Sequence, residues 1–240
     1  MLHRIQFLLG RRASTRVFNL WPVLGALLLS GPAVGASFVS DRAALNADDF
    51  VDWGVLKQPS DDITNITLPS PIELKSASSG LDVTVEYLPG GSRDPLLRLF
   101  QEDDGISWNG NFSPDDFLLS TGFGGSILIT FEEPISAAGA QIQRAALGNF
   151  TGRIEAFDAD GISLGAFTRD GVSDQVADDS AILLGIVSPD DDIMSISFDV
   201  RGPQFAINRL DFTLVPEPAS LGLFISGLLA CVCRRPASQA

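Results

Sequence analysis

Carboxylates are the main reactive groups in most of this chain. Between Ser37 and Val215 there are 29 acidic and 10 basic residues, and no His or Cys; His3, Cys231 and Cys233 all lie outside that stretch. A Ser-His-Asp or Cys-His centre, a zinc site built on imidazole or thiolate, and a disulfide therefore have no components there. The acids come in groups: Asp48-Asp49, Asp61-Asp62, Glu102-Asp103-Asp104, Asp115-Asp116, Asp178-Asp179 and Asp190-Asp191-Asp192. Each group sits among turn-forming residues. Such groups can form a solvated, self-repelling surface, or they can hold Ca²⁺, a hard cation that prefers oxygen ligands. Ca²⁺ is the one cofactor the composition leaves open, and no particular metal ligands stand out. Paired carboxylates also serve glycoside hydrolysis, but no compact acidic strand motif points to it. The run Asp158-Ala159-Asp160-Gly161 has its Gly fourth, where a calcium loop of the helix-loop-helix type needs it sixth. It reads as a hairpin turn.

One loop has the residues for sugar recognition. Trp108 stands in Gly105-Ile106-Ser107-Trp108-Asn109-Gly110-Asn111-Phe112, next to Asp104. Exposed, Trp108 would stack on a pyranose ring while Asp104, Asn109 and Asn111 bond its hydroxyls. Buried, it would close the end of a β-sandwich.

These residues need a scaffold, and the pattern of the middle stretch is β throughout. Gly, Pro, Asp, Asn and Ser clusters recur every 8–15 residues, the punctuation of a sandwich. Leu81–Tyr87 alternates apolar and polar residues, as a half-buried strand does. Ser126–Phe131 suits a central strand. Thr151–Phe157 and Ile162–Thr168 flank the Asp158–Gly161 turn. Further strands are expected at Phe50–Trp53, Ile63–Leu68, Ile72–Ser76, Leu96–Gln101, Ala181–Val187, Ile193–Val200 and Phe205–Leu214, with one short helical turn at Arg42–Asn46 capped by Asp41. The expected fold is all-β: a mostly antiparallel two-sheet sandwich, jelly-roll-like, of about ten strands, with short hydrophobic helices at both termini.

The termini read as addresses. Arg4, Arg11, Arg12 and Arg16 precede an apolar run at Val17–Leu29, and Val34-Gly35-Ala36 offers small residues for cleavage after Ala36. Residues 1–36 are thus expected to be a signal peptide engaging the Sec translocon. At the other end, Val215-Pro216-Glu217-Pro218 leads into the apolar Leu221–Val232 and then Arg234-Arg235. The order of Pro216-Glu217-Pro218, short hydrophobic helix and basic cluster resembles the PEP-CTERM sorting signal of Gram-negative bacteria that make extracellular polysaccharide. Physics agrees with the resemblance. Pro216 and Pro218 hold the chain extended, and Arg234 and Arg235 stay on the cytoplasmic side of a membrane. The resemblance implies processing of residues 215–240 by exosortase, a membrane protease, after transient anchoring in the inner membrane. Cys231, Cys233 and the extension Pro236–Ala240 depart from the commonest form of that signal. The pieces Gly139–Gln143, Arg153–Gly161 and Phe205–Phe212 also resemble the β-sandwich ectodomains that precede such tails, and galactose-binding-type jelly rolls.

The stretch Ser37–Val215 has a net charge of −19. It repels nucleic acid, which is excluded as a partner. The expected product is a sandwich spanning 37–214, delivered to the cell surface or extracellular matrix, without enzymatic activity and with a structural or adhesive role among extracellular polysaccharide. A lectin-like carbohydrate-binding module is the second reading, and a hydrolase using paired carboxylates the third.

Overall fold

The computed structural model describes residues 35–56, 66–88, 96–101, 108–122, 124–202 and 204–216. Both apolar terminal segments, and with them the two expected hydrophobic helices, lie outside the described residues. The chain opens with β1 (Ser37–Val39), β2 (Asp49–Val51), β3 (Ile66–Leu68) and β4 (Ile72–Lys75). It continues through β5 (Asp82–Leu88), β6 (Leu96–Phe100), β7 (Phe117–Thr121) and the 19-residue β8 (Ser126–Arg144). A hairpin of β9 (Gly148–Phe157) and β10 (Ser163–Ser173) follows, then β11 (Ile182–Val187), β12 (Ile193–Val200), β13 (Phe205–Ile207) and β14 (Leu210–Leu214). All pairings of these strands are antiparallel.

One strand belongs to both layers. Through Ser126–Phe131, β8 lies between β12 and β5, in a sheet ordered β10-β9-β12-β8-β5-β4. Through Ile135–Arg144 it pairs with β11 on one side and with β13 and β14 on the other. The crossing falls at Glu132-Glu133-Pro134, where three consecutive exposed residues interrupt the alternation of burial. In the second sheet β1 edges β11, β2 edges β14, and β7, β6 and β3 extend from β13.

The main core forms between the layers. Val83, Val85 and Tyr87 of β5 alternate inward against Ile127, Ile129 and Phe131 of β8, and meet Phe198, Ile207 and Phe212 from other strands. Strand alternation then sends Gln141 and Gln143 to the opposite, outer face of the second sheet, while Ala140 and Ile142 join the core. That outer face is also covered. Trp108 and Phe112 pack there on Leu99, Leu118, Ala181 and Ala206, and Leu45 packs on Ala137 and Leu183.

The two-sheet antiparallel architecture is as expected; its details differ. Phe205–Leu214 is two strands, because Asn208-Arg209 leave the ladder between β13 and β14. The β2 strand ends before Trp53, which enters a 3-10 turn capped by Asp52. The capped turn at Asp41 is also 3-10, over Arg42–Leu45, with the Asp41 carboxylate accepting from Ala43 N at 3.1 Å. The short β1 and β7 carry no alternation signal, and β8 joins two expected pieces into one.

Candidate functional site: a polar cleft at the break between two strands

Asn208 interrupts an apolar run at the point where β13 turns toward β7 and β14 toward β2. Its position opposite Gln141 lets it replace ladder contacts with side-chain bonds. Asn208 Oδ1 accepts from Gln141 N at 3.0 Å and from the Arg42 guanidinium at 3.1 Å. Asn208 Nδ2 donates to Gln141 Oε1 and, at 3.0 Å, to Asp116 Oδ2. Its carbonyl accepts the Trp53 indole N–H at 2.8 Å. A 96 %-buried amide with all its groups in use is a rigid floor.

The charges stand around this floor. Arg42 pairs with Asp211, whose other oxygen receives Arg209 Nε at 2.9 Å. Two guanidinium groups on one buried carboxylate offset its desolvation. Arg209 also lies over the Phe50 ring, 4.9 Å from its centroid. Gln141 Nε2 donates to Asp179 Oδ1 at 2.8 Å. Arg42, Arg209, Gln141, Asp179, Asp116 and Asn208, with Asp52, Ser113 and Phe117, line a cleft of about 250 Å³. Burial, with Arg209 nearby, draws the Arg42 pKa below its ordinary value, while Asp179 and Asp116 act against it. Burial pushes Asp116 up, aided by Asp179, and outweighs the Asn208 hydrogen bond and the field of Arg42.

A second polar knot holds the loop that the sequence marked for sugar binding. Trp108 is 5 % exposed and donates its indole N–H to Gln143 Oε1 at 3.2 Å. Asn111, 2 % exposed, receives Gln143 Nε2 and donates to Asp174 and Ser180 at 2.6 and 3.0 Å. Gly110 lets the Gln143 carboxamide approach, since a Cβ there would stand 2.2 Å from Oε1. Of the two readings of Trp108, the buried one holds: the ring is a core residue closing the outer face, and Asn111 spends its amide on holding the loop, so no stacking platform stands there. Asn109 is half-buried, and Asp104 lies outside the described residues.

Eight of the described acids shape turns. Asp41, Asp52, Asp158, Asp174 and Asp178 each accept from the backbone N–H two residues on, the short-range bond that makes Asp a turn residue. Asp115, Asp179 and Asp191 take left-handed backbone. Asp158–Gly161 is the expected hairpin turn, with Gly161 at φ +74°. Asp49 is 2 % exposed and accepts from Ser78 N, Ser79 N and both serine hydroxyls of Ser76 and Ser79. Burial raises its pKa, but these four bonds outweigh burial and hold it far below the ordinary value. Among the described residues no group of three or more acids is arranged to hold a metal ion.

Of the residues proposed for sorting, Pro216 is exposed at the end of a groove of about 600 Å³ flanked by Glu132, Glu133 and Asp191. Glu217, Pro218, Arg234 and Arg235 lie outside the described residues. Ala36, the expected cleavage position, donates its N–H to Leu164 O at 3.1 Å, one residue before β1 begins. The cleft residues Arg42, Asp116 and Asp179 were not foreseen. A signal for them existed: Gln141 and Gln143 repeat at strand spacing within an apolar run, which requires polar cover on that face.

No protein-family model matches the chain, and no curated protein matches it in sequence. Among solved structures it is similar to a DUF4465 family protein from Bacteroides caccae at 10 % identity, covering 73 % of this chain and 98 % of that one with a TM-score of 0.35. It is similar to CsCBM6-3 from Clostridium stercorarium, solved in complex with cellobiose, at 14 % identity, covering 64 % and 95 % with a TM-score of 0.24. A cleaved adhesin domain of Lys-gingipain from Porphyromonas gingivalis aligns at 13 % identity over 75 % and 98 %, with a TM-score of 0.21. At such scores the likenesses carry no argument about ligand or role, and the architecture rests on the strand pairing itself.

Proposed function

We propose that the chain is an exported, non-enzymatic β-sandwich protein of the cell surface or extracellular matrix, with a structural or adhesive role, sorted through its C-terminal Pro-Glu-Pro segment by an exosortase-type protease. The observation that carries this reading is where the sandwich receives and releases the chain. Ser37 pairs with Val187, Val187 with Ala137, and Ala137 with Thr213. The first strand's first residue and the last strand's penultimate residue thus share one row, three strand spacings or about 14 Å apart. The described strands place the point where the chain enters the sandwich and the point where it leaves at one end of the fold, an arrangement compatible with address segments on both sides of it. The acid-rich turns support the same reading, because most of the acids named above are engaged in shaping the chain.

Mass spectrometry of the mature termini, from intact cells and from medium, tests the proposal. The expected product begins at Ser37 and lacks Arg234 and Arg235. Glu217→Ala is expected to leave a membrane-held precursor. Recovery of the complete chain in the cytosol, or normal processing of the Glu217 variant, would remove the assignment.

A further inference from the structure

We infer that the cleft at Asn208 binds one uncharged pyranose unit of a polysaccharide, held by Asp116, Asp179, Arg42 and Arg209 against Phe117. This deepens the surface-protein reading by giving the adhesive role a ligand class and a place. The inference rests on what the cleft groups leave unused. Asn208 and Gln141 are saturated and fix the floor. Asp116 and Asp179 each give one carboxylate oxygen to that floor, and the second oxygen of each has no side-chain partner among the described residues, with a backbone bond from Ser113 also reaching the Asp116 carboxylate. Arg209 commits Nε to Asp211, and among the described residues its terminal N–H groups make no side-chain hydrogen bond. Arg42 spends three N–H bonds on Asp211, Gln141 and Asn208, which leaves two of its five donors.

Acceptors and donors that no side chain uses therefore stand together around one small opening. Hydroxyl groups on adjacent ring carbons both donate and accept, and match that mixture better than a purely anionic or cationic ligand. Arg42 and Arg209 pair with Asp211, and Asp116 and Asp179 act on Arg42; with Asp52 also in the lining, the described residues of the cleft hold no excess cation to attract an acidic sugar. Phe117 is half-buried and adds apolar surface to the cleft lining, although Arg98 lies over its ring at 5.2 Å and Phe100 packs on it at 5.1 Å. The volume of about 250 Å³ falls below the roughly 300–1,000 Å³ of pockets that enclose drug-sized ligands. It suits one ring, with the remainder of a polymer outside.

The test uses the full chain in a detergent without sugar headgroups, probed by saturation-transfer NMR and calorimetry. The probes are methyl α-glucoside, methyl α-galactoside, glucuronate and glucosamine. Binding of at least one neutral glycoside is expected. Asp116→Asn/Asp179→Asn keeps an acceptor for Asn208 and Gln141, and is expected to weaken binding about tenfold or more, as charge-assisted bonds become neutral ones, without lowering the melting temperature. Trp108→Phe is expected to leave binding unchanged. No transfer to either neutral glycoside at high millimolar concentration would overturn the site. Unaltered binding by the double variant, or loss in Trp108→Phe, would overturn its placement. Tighter binding of glucuronate or glucosamine would overturn the ligand class. Binding is read on purified protein, so failure here leaves the sorting assignment standing, and failure of sorting leaves this result intact.

Discussion

Gly139 and Gly185 face each other across β8 and β11, and Leu45 fills the space that their missing side chains leave. A Cβ on Gly139 would stand 2.9 Å from Gly185 Cα and from Leu184 O, and 3.0 Å from Leu45 Cδ1. The two glycines therefore let the Arg42–Leu45 turn lie directly on the sheet, and that turn carries Arg42 to Asp211. Gly139→Ala pushes against backbone, which yields little. It is expected to cost roughly 1–3 kcal/mol in denaturant unfolding and to weaken ligand binding through Arg42. Wild-type stability in this variant would refute the close-packing account.

The Asn208 side chain ties together three other residues of the cleft, Gln141, Arg42 and Asp116. Asn208→Ala leaves Gln141 N and one Arg42 N–H without their partner, and takes one of two donors from Gln141 Oε1, which keeps Arg42. Unsatisfied buried groups cost about 1–3 kcal/mol each before relaxation and water entry. A total loss of about 2–4 kcal/mol is expected from chemical denaturation. A loss under about 1 kcal/mol would show that the network contributes little.

Asp49 and Asp116 act with opposite sign on acid stability. The Asp49 pKa is lowered in the fold, so its contribution is complete above the unfolded value near 4 and is lost as pH falls toward the folded value. Asp49→Asn is expected to reduce stability at neutral pH by about 1–3 kcal/mol and to flatten the loss below about pH 4. The Asp116 pKa is raised, so ionisation of this group opposes folding, and that opposition is relieved as pH falls through the folded value. Asp116→Asn is expected not to lower stability at neutral pH. Unfolding curves across pH 3–7 for both variants read the two signs; an unchanged acid limb in Asp49→Asn would discard the first.

Trp108→Phe keeps most of the ring packing on Phe112, 6.2 Å away between centroids, and deletes the bond to Gln143. The expected cost is about 1–2 kcal/mol. Equal melting of the two proteins would mean that the indole N–H is dispensable.

The sandwich was legible wherever apolar residues alternated or ran together. Ile193–Val200 was expected at its observed bounds, and Leu81–Tyr87 at within one residue of β5. Where a strand has cover on both faces, alternation vanishes: Ala137–Gln143 is buried at every position. The passage of β8 between sheets was hidden because Glu132-Glu133-Pro134 has the composition of a loop. The cleft was harder to read. It joins Arg42, Asp116, Asp179 and Asn208, residues far apart in the chain whose meeting depends on strand order, and local pattern holds no record of strand order. Trp108 stayed open between two readings for a related reason: a Gly- and Asn-rich loop can be solvated, whereas this one folds back and is bonded to Gln143.

The row that joins Ser37 to Thr213 also sets how the domain answers to tension. Force applied between its two ends would peel the three-residue β1 from β11 one pair at a time. Force applied between the cleft and the C-terminal exit instead runs along β14, which starts just after Arg209 and is paired on one side with β2 and on the other with β8. Those pairs are loaded together, lengthwise. A protein gripping at Asn208 and held by its tail would bear drag along its stronger axis, and single-molecule pulling in the two geometries should give a higher rupture force for the second.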